Sequence, residues 1–185
     1  MKKKEKIRVK GRAAAIISMV LLIVISVPLG MGFSLVRERN KVTEHYFGSN
    51  DTYGLLEDLS GCTTEASNLV TLSGKYLGAD DAKLTEVRSA AGRLETAQSP
   101  SEKAGAYSTL TISFNSLYNE LCGMELSEQD SEYLEAIYSD YYMYVDLVSY
   151  SDYNIKVANF NETFRNAPGR RLAELMGVKE LEPFA

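Results

Sequence analysis

Histidine, cysteine and close-set acids supply most protein active sites, and this sequence uses them sparsely. His45 is its single histidine. A histidine–serine pair needs a cleft around it to move a proton. His45 instead falls about nine residues beyond a long apolar run, on what reads as a helical stalk, so a surface or interfacial place suits it better than a catalytic one. Cys62 and Cys122 lie sixty residues apart, with no C-x-x-C spacing and no second histidine to complete a zinc site. Acids cluster at Glu57-Asp58 and Asp80-Asp81. No D-x-D-x-D-G calcium loop or Glu-x-x-His pair accompanies them, and solvated helix faces account for them. Asn161-Glu162-Thr163 matches a glycosylation sequon, a pattern that chance supplies often. The expectation is therefore no catalytic, cofactor-binding or metal-binding residue.

Tyrosine is the unusual signal. Tyr133, Tyr138, Tyr141, Tyr142, Tyr144, Tyr150 and Tyr153 crowd one segment, which reads as a single helix from Ser127 to about Asn166. Leu134, Ile137, Tyr141, Val145 and Val148 form an apolar stripe along its first half, and Tyr138 and Tyr144 lie near that stripe as core. Tyr150 lies opposite it and Tyr142 about 100° away. Tyrosine is favoured where an apolar body meets water or a partner. Tyr142 and Tyr150 are thus the candidate partner-binding residues, against ordinary packing on neighbouring helices. Tyr153, Val157, Phe160 and Phe164 form a second stripe, turned by roughly 120° from the first. One straight helix cannot lay both stripes in one groove. The second should meet the membrane-proximal helix or the C-terminal segment.

The elements that carry these side chains all read as helices. Leu55, Leu59, Cys62, Ala66, Leu69, Ser73 and Tyr76 follow a 3-4 spacing. Asn50 and Asp51 can cap that helix, and Gly78 ends it. A second helix opens at Asp80 or Asp81 and buries Leu84, Val87, Ala91 and Leu94. Ser99-Pro100-Ser101-Glu102 then combines an N-cap, a proline at the first helical position and a capping box. The third helix carries Tyr107, Leu110, Phe114, Leu117, Leu121 and Met124 on one face. Ser127 and Asp130 cap the fourth. Ala167-Pro168-Gly169 stops it, and a short helix from Arg170 to Met176 ends at Gly177. In an up-and-down arrangement Cys62 and Cys122 lie on the order of 20 Å apart along the helix axis. That is beyond disulfide reach, so both are expected as small core residues.

The first dozen residues hold seven basic side chains against one acid, a charge of +6; the chain carries −5, which leaves −11 for the rest. An acidic domain is a poor partner for nucleic acid, so the basic stretch reads as a topology signal. Residues 13–36 carry no charge. Twenty-four helical residues reach about 36 Å, enough to cross a hydrocarbon core of roughly 30 Å. A cleavable signal peptide, with Gly30 and Gly32 before the cut, is the rival reading; the length of the run and the absence of an A-x-A pattern favour a span. Only Arg37, Arg39 and Lys41 follow closely, so the charge bias keeps the N-terminus in the cytoplasm and sends the domain outside.

Ser34-Leu35-Val36-Arg37 with Arg39-Asn40-Lys41-Val42, Asn68-Leu69-Val70 with Lys75-Tyr76, and Ser99-Pro100-Ser101-Glu102-Lys103-Ala104 stand in a recognisable order. Tyr153-Asn154, Val157, Phe160-Asn161, Phe164 and Pro168 follow them, then Ala173, Gly177 and Phe184. In this the chain resembles, over nearly all of residues 34–184, the LemA family of bacterial membrane-anchored helical proteins. Gly61-Cys62 stand where that family has paired arginines, Ala79-Asp80 where it has His-Glu, and Phe47 where it has tryptophan. Gly48 to Asp51 look like an insertion. The resemblance implies a four-helix antiparallel bundle on a membrane anchor and no established activity.

The sequence thus reads as an all-α protein with three parts: a basic cytoplasmic tail at 1–12, a transmembrane helix at 13–36, and a LemA-like helical domain at 37–185. That domain is expected as an antiparallel up-and-down four-helix bundle outside the cell membrane. The expected role is a non-enzymatic module that binds or scaffolds envelope proteins. Its expected partners are the lipid bilayer through residues 13–36 and a protein of the envelope, with no nucleic acid and no cofactor. A single-pass signalling subunit with a short cytoplasmic tail is the alternative.

Overall fold

A computed structural model describes residues 2–49, 53–78 and 80–185, with side chains from Ala15 onward. Among these residues every element is an α-helix: α1 Lys2–Phe47, α2 Leu55–Ser73, α3 Ala82–Thr96, α4 Pro100–Cys122, α5 Glu128–Tyr150, α6 Tyr153–Asn166 and α7 Arg170–Leu175. They form two compact units. One comprises Met1–Asn40 with Asn159–Leu181, the other Lys41–Ala158 with Glu182–Ala185.

In the second unit α2 packs on α3, α4 and α5, and α3 packs on α4. The 3-4 spacing sets the buried faces. Leu59, Cys62, Ala66 and Leu69 of α2, Val87 and Leu94 of α3, and Leu110, Phe114 and Leu117 of α4 are all buried. The start of α3 lies beside the end of α4. Lys83 at the start of α3 pairs with Glu120 near the end of α4 at 2.9 Å. Just past α2, Lys75 and Tyr76 hold Asp130 in the first turn of α5.

Capping chemistry sets most helix ends where the sequence predicts them. Asp81 accepts the Lys83 and Leu84 amides at 2.9 and 3.3 Å. The Ser99–Glu102 capping box is complete, and the Glu102 carboxylate also accepts the Gln98 amide. Ser127 Oγ accepts the Asp130 amide. The predicted caps Asn50 and Asp51 lie outside the described residues. Gly54 occupies the N-cap of α2 without a side-chain cap, and the helix ends at Gly74 rather than Gly78. Met124, expected in the core, lies past the end of α4 and is exposed.

One prediction needs correcting. The helix expected from Ser127 to Asn166 is two helices. Ser151 adopts an extended conformation (φ −60°, ψ 126°), and its hydroxyl accepts the Tyr153 amide at 3.4 Å. A serine oxygen offered to a nearby amide competes with the helical ladder. The break resolves the two divergent stripes, because α6 starts afresh with its own orientation. Tyr153 then meets the stalk, its ring 5.1 Å from that of Tyr46, and Asp152 pairs with His45 at 3.4 Å and Lys156 at 3.0 Å.

Asp130 fastens the start of α5. Lys75 Nζ and Tyr76 Oη each donate to its carboxylate at 2.6 Å, and these bonds hold its pKa below the ordinary 3.8. A carboxyl whose folded pKa is depressed stabilises the fold above its unfolded pKa, and that contribution fades as pH falls through the folded value. Protection of the amides of residues 127–131, relative to their intrinsic exchange rates, should therefore fall as pH drops below about 4. Asp130→Asn should be weakly protected throughout and lose this acid dependence.

In the first unit α7 lies against α1. A Cβ built on Gly169 would fall 2.9 Å from Met31 Cβ, and one built on Gly32 would fall 3.2 Å from Met176 Sδ. Leu35, Phe160, Phe164, Ala173 and Val178 are buried here, and the Arg170 guanidinium lies 5.5 Å from the centre of the Phe164 ring. Phe164 thus meets the C-terminal segment, as the second stripe requires. The chain after α7 returns along α6. Leu181 exchanges two 2.8 Å bonds with the Asn161 side chain, and Arg165 pairs with Glu180 at 3.0 Å.

Candidate functional site

The tyrosines of α5 divide between two faces. The backbones of α4 and α5 stay apart, and aromatic rings fill the gap. Phe114 stacks on Tyr141 with centroids 3.7 Å apart and planes 10° from parallel. Tyr118 stacks on Tyr138 at 4.2 Å, and Tyr138 meets Tyr142 at 4.6 Å. Their hydroxyls are engaged as well. Tyr141 Oη lies 3.0 Å from Thr111 Oγ1, and Tyr142 donates to Asn115 Oδ1 at 2.9 Å. Tyr144 turns toward α2, where Gly61 makes room. A Cβ at Gly61 would overlap the Tyr144 ring.

The two candidate partner residues therefore have different surroundings. Tyr142 is half-buried, and its ring and hydroxyl are both spent on α4 and α5 themselves. Tyr150 is 85% exposed. The same outer face of α5 carries Met143 and Leu147, each roughly half open to solvent. Sequence reasoning missed Met143 and Leu147, although their signal was present. Positions 143, 147 and 150 are spaced four and three, opposite the buried stripe, and a second apolar line on one helix marks a second contact surface.

Three groups that could do chemistry are held protonated by burial. Burial pushes the Cys62 thiol up to about 12, and it lifts Tyr107 to about 12 and Tyr141 higher still. A thiol or phenol acts as nucleophile or base only when deprotonated, so these stay neutral at physiological pH. Both cysteines are free. Cys62 is buried, but Cys122 is exposed at the end of α4 rather than in the core, because its position there faces outward. Cys122, Tyr118, Leu121, Met124, Ser131 and Glu135 line an open groove of about 660 Å³. Among the described residues, no three of His, Cys, Asp and Glu stand close enough to share a metal ion.

Asparagines do unexpected work along α6. Asn154 donates to the Phe184 carbonyl at 2.6 Å and accepts the Phe184 amide at 2.7 Å, so one side chain satisfies both backbone groups of an extended residue. Tyr153 Oη donates to the Glu182 carbonyl at 2.8 Å, Ser101 bonds to the Glu182 carboxylate, and the Phe184 ring lies against Tyr107. In the other unit Asn161 grips Leu181 by the same two-bond pattern. That engagement, with Asn161 buried, closes the sequon to an oligosaccharide. Asparagine is a poor helix former. Two of them seven residues apart on a helix were the available sign of a partner running alongside. No protein-family model matches the chain, and no curated protein matches its sequence.

Proposed function

We propose that this chain is a membrane-anchored, non-enzymatic helical module that binds or scaffolds a protein partner at the cell envelope. The observation that carries the reading is the surface of α1. From Ile16 to Val27 every large apolar side chain is at least half exposed, on a helix long and apolar enough to cross a membrane. A soluble monomer rarely exposes a contiguous apolar surface of that size, and a bilayer buries it. In this reading the basic stretch keeps the N-terminus cytoplasmic, and α2–α5 form an antiparallel up-and-down four-helix bundle outside. The resemblance of residues 34–184 to the LemA family supports the same arrangement.

The outer face of α5, with Met143, Leu147 and Tyr150, is the proposed contact surface. Aromatic and methionine side chains on an open helix face suit a protein partner. Two experiments test the proposal. Protease added to intact cells with the wall removed should digest the domain; protection until lysis would reverse the orientation. Affinity purification from solubilised membranes should lose its specific partner with Leu147→Asp plus Tyr150→Asp, while helicity and melting stay unchanged. Retention of the same partner by that variant would remove the α5 surface from the proposal.

One observation favours a signalling role as second reading. α1 is unbroken from Lys2 to Phe47, so a single helix links the basic stretch to the stalk. Deleting Lys2 to Lys10, with enough charge restored to keep topology, separates the two. Loss of function with normal insertion favours signalling.

A further inference from the structure

The expected span of 13–36 is not free along its whole length. Within its unit, the last part of the apolar run is covered by α7. Gly169 approaches Met31 and the Pro28 carbonyl, and Gly32 receives Leu172 and Met176 at 3.5 and 3.2 Å from where a Cβ would stand. Contacts this close depend on both glycines, and they fix the level of α7 along α1 beside residues 28–32. Among the residues with described side chains, the segment of the run left open, 15–27, is centred on Leu21. Gly32 is eleven residues further, about 16 Å along the helix, while half a hydrocarbon core is about 15 Å. A bilayer centred on the open segment would therefore place α7 at the boundary between acyl chains and headgroups.

The side chains of this region suit that depth. Leu175 is 86% exposed and Phe33 61% exposed, two largely uncovered apolar groups beside the apolar run. Arg170 is engaged over Phe164 and paired with Glu174, while Arg171 lies exposed, able to reach phosphate oxygens. Apolar insertion with arginine at headgroup level is how interfacial helices hold to a bilayer.

We propose that Arg170–Met176 is a second membrane contact, an interfacial anchor whose Leu175, together with Phe33, inserts at the acyl boundary while Arg171 meets anionic headgroups. The proposal rests on reading α1 as a span. The test uses the full chain in nanodiscs of phosphatidylcholine and phosphatidylglycerol, in a Cys122→Ser background where the remaining thiol, Cys62, is buried. A single cysteine placed by Leu175→Cys, Phe33→Cys, Leu22→Cys or Ser67→Cys carries an environment-sensitive fluorophore. Lipids brominated near the carbonyl end of the acyl chain then act as quencher. Labels at 175 and 33 should each lose about half their emission or more, as expected at an interfacial depth, while the label at 67 keeps its own. Quenching at 22 without quenching at 175 overturns the anchor and leaves the span standing. Absence of quenching at 22 in any brominated lipid overturns the span, and the anchor with it.

Discussion

Phe114→Ala is expected to destabilise the Lys41–Ala158 unit by roughly 3–5 kcal/mol, the usual range for deleting a buried aromatic ring. Phe114 is fully buried, and one ring face is covered by Tyr141 at 3.7 Å. The upper part of the range applies because the hole cannot easily close. α4 and α5 are held apart by their aromatic rings, so collapse would have to move whole helices. Movement of that kind would also separate Tyr141 Oη from Thr111, and an unsatisfied buried hydroxyl carries its own penalty. Glu95→Ala, on an exposed face of α3, should change stability by no more than about 0.5 kcal/mol. Denaturant titration of the full chain in detergent, followed by tyrosine fluorescence, separates the two. Similar midpoints for both variants would mean that the packing of α4 against α5 is wrong.

The helical register was legible because each segment buries one face. A single spacing rule then names Leu59, Leu69, Val87, Leu94, Leu110 and Leu134 without reference to tertiary structure. The caps Asp81, Ser99 and Ser127 were legible for the same local reason, since each side chain bonds an amide two or three residues ahead. The break at Ser151 was visible only as a contradiction between two stripes. No proline or glycine marks it, and Ser151 stops the helix by a bond that a serine can make or decline. The cover over the outer end of the apolar run was not legible, because hydropathy cannot distinguish lipid from a covering helix. Gly32 and Leu35 belong to the apolar run, yet both are buried by protein.

The candidate surface was half legible. Tyr150 stands on an open face as its angle implies. Tyr142, at 100° from the stripe, finds Asn115 because α4 lies on that side of α5, a fact no single-helix projection contains. The grip of Asn154 and Asn161 on an extended segment depends on residues 20 to 30 positions away in sequence, beyond any periodicity.

Phe160→Asp tests whether the two units hold separate cores. Phe160 is 1% exposed and its ring stacks near Phe164 at 5.8 Å. The substitution removes the ring and buries a carboxylate, so the loss should be at least about 4 kcal/mol. Arg170 already lies over Phe164 and pairs with Glu174, which limits rescue by a new ion pair. Phe160→Leu keeps an apolar side chain and should lose much less. Sub-global opening appears in hydrogen exchange as faster exchange confined to one cooperative region. For Phe160→Asp that region should be residues 28–40 and 159–181, while 55–122 keeps its protection because Leu69, Phe114 and Tyr141 are untouched. Equal acceleration across 55–122 would mean that one continuous core runs through both units.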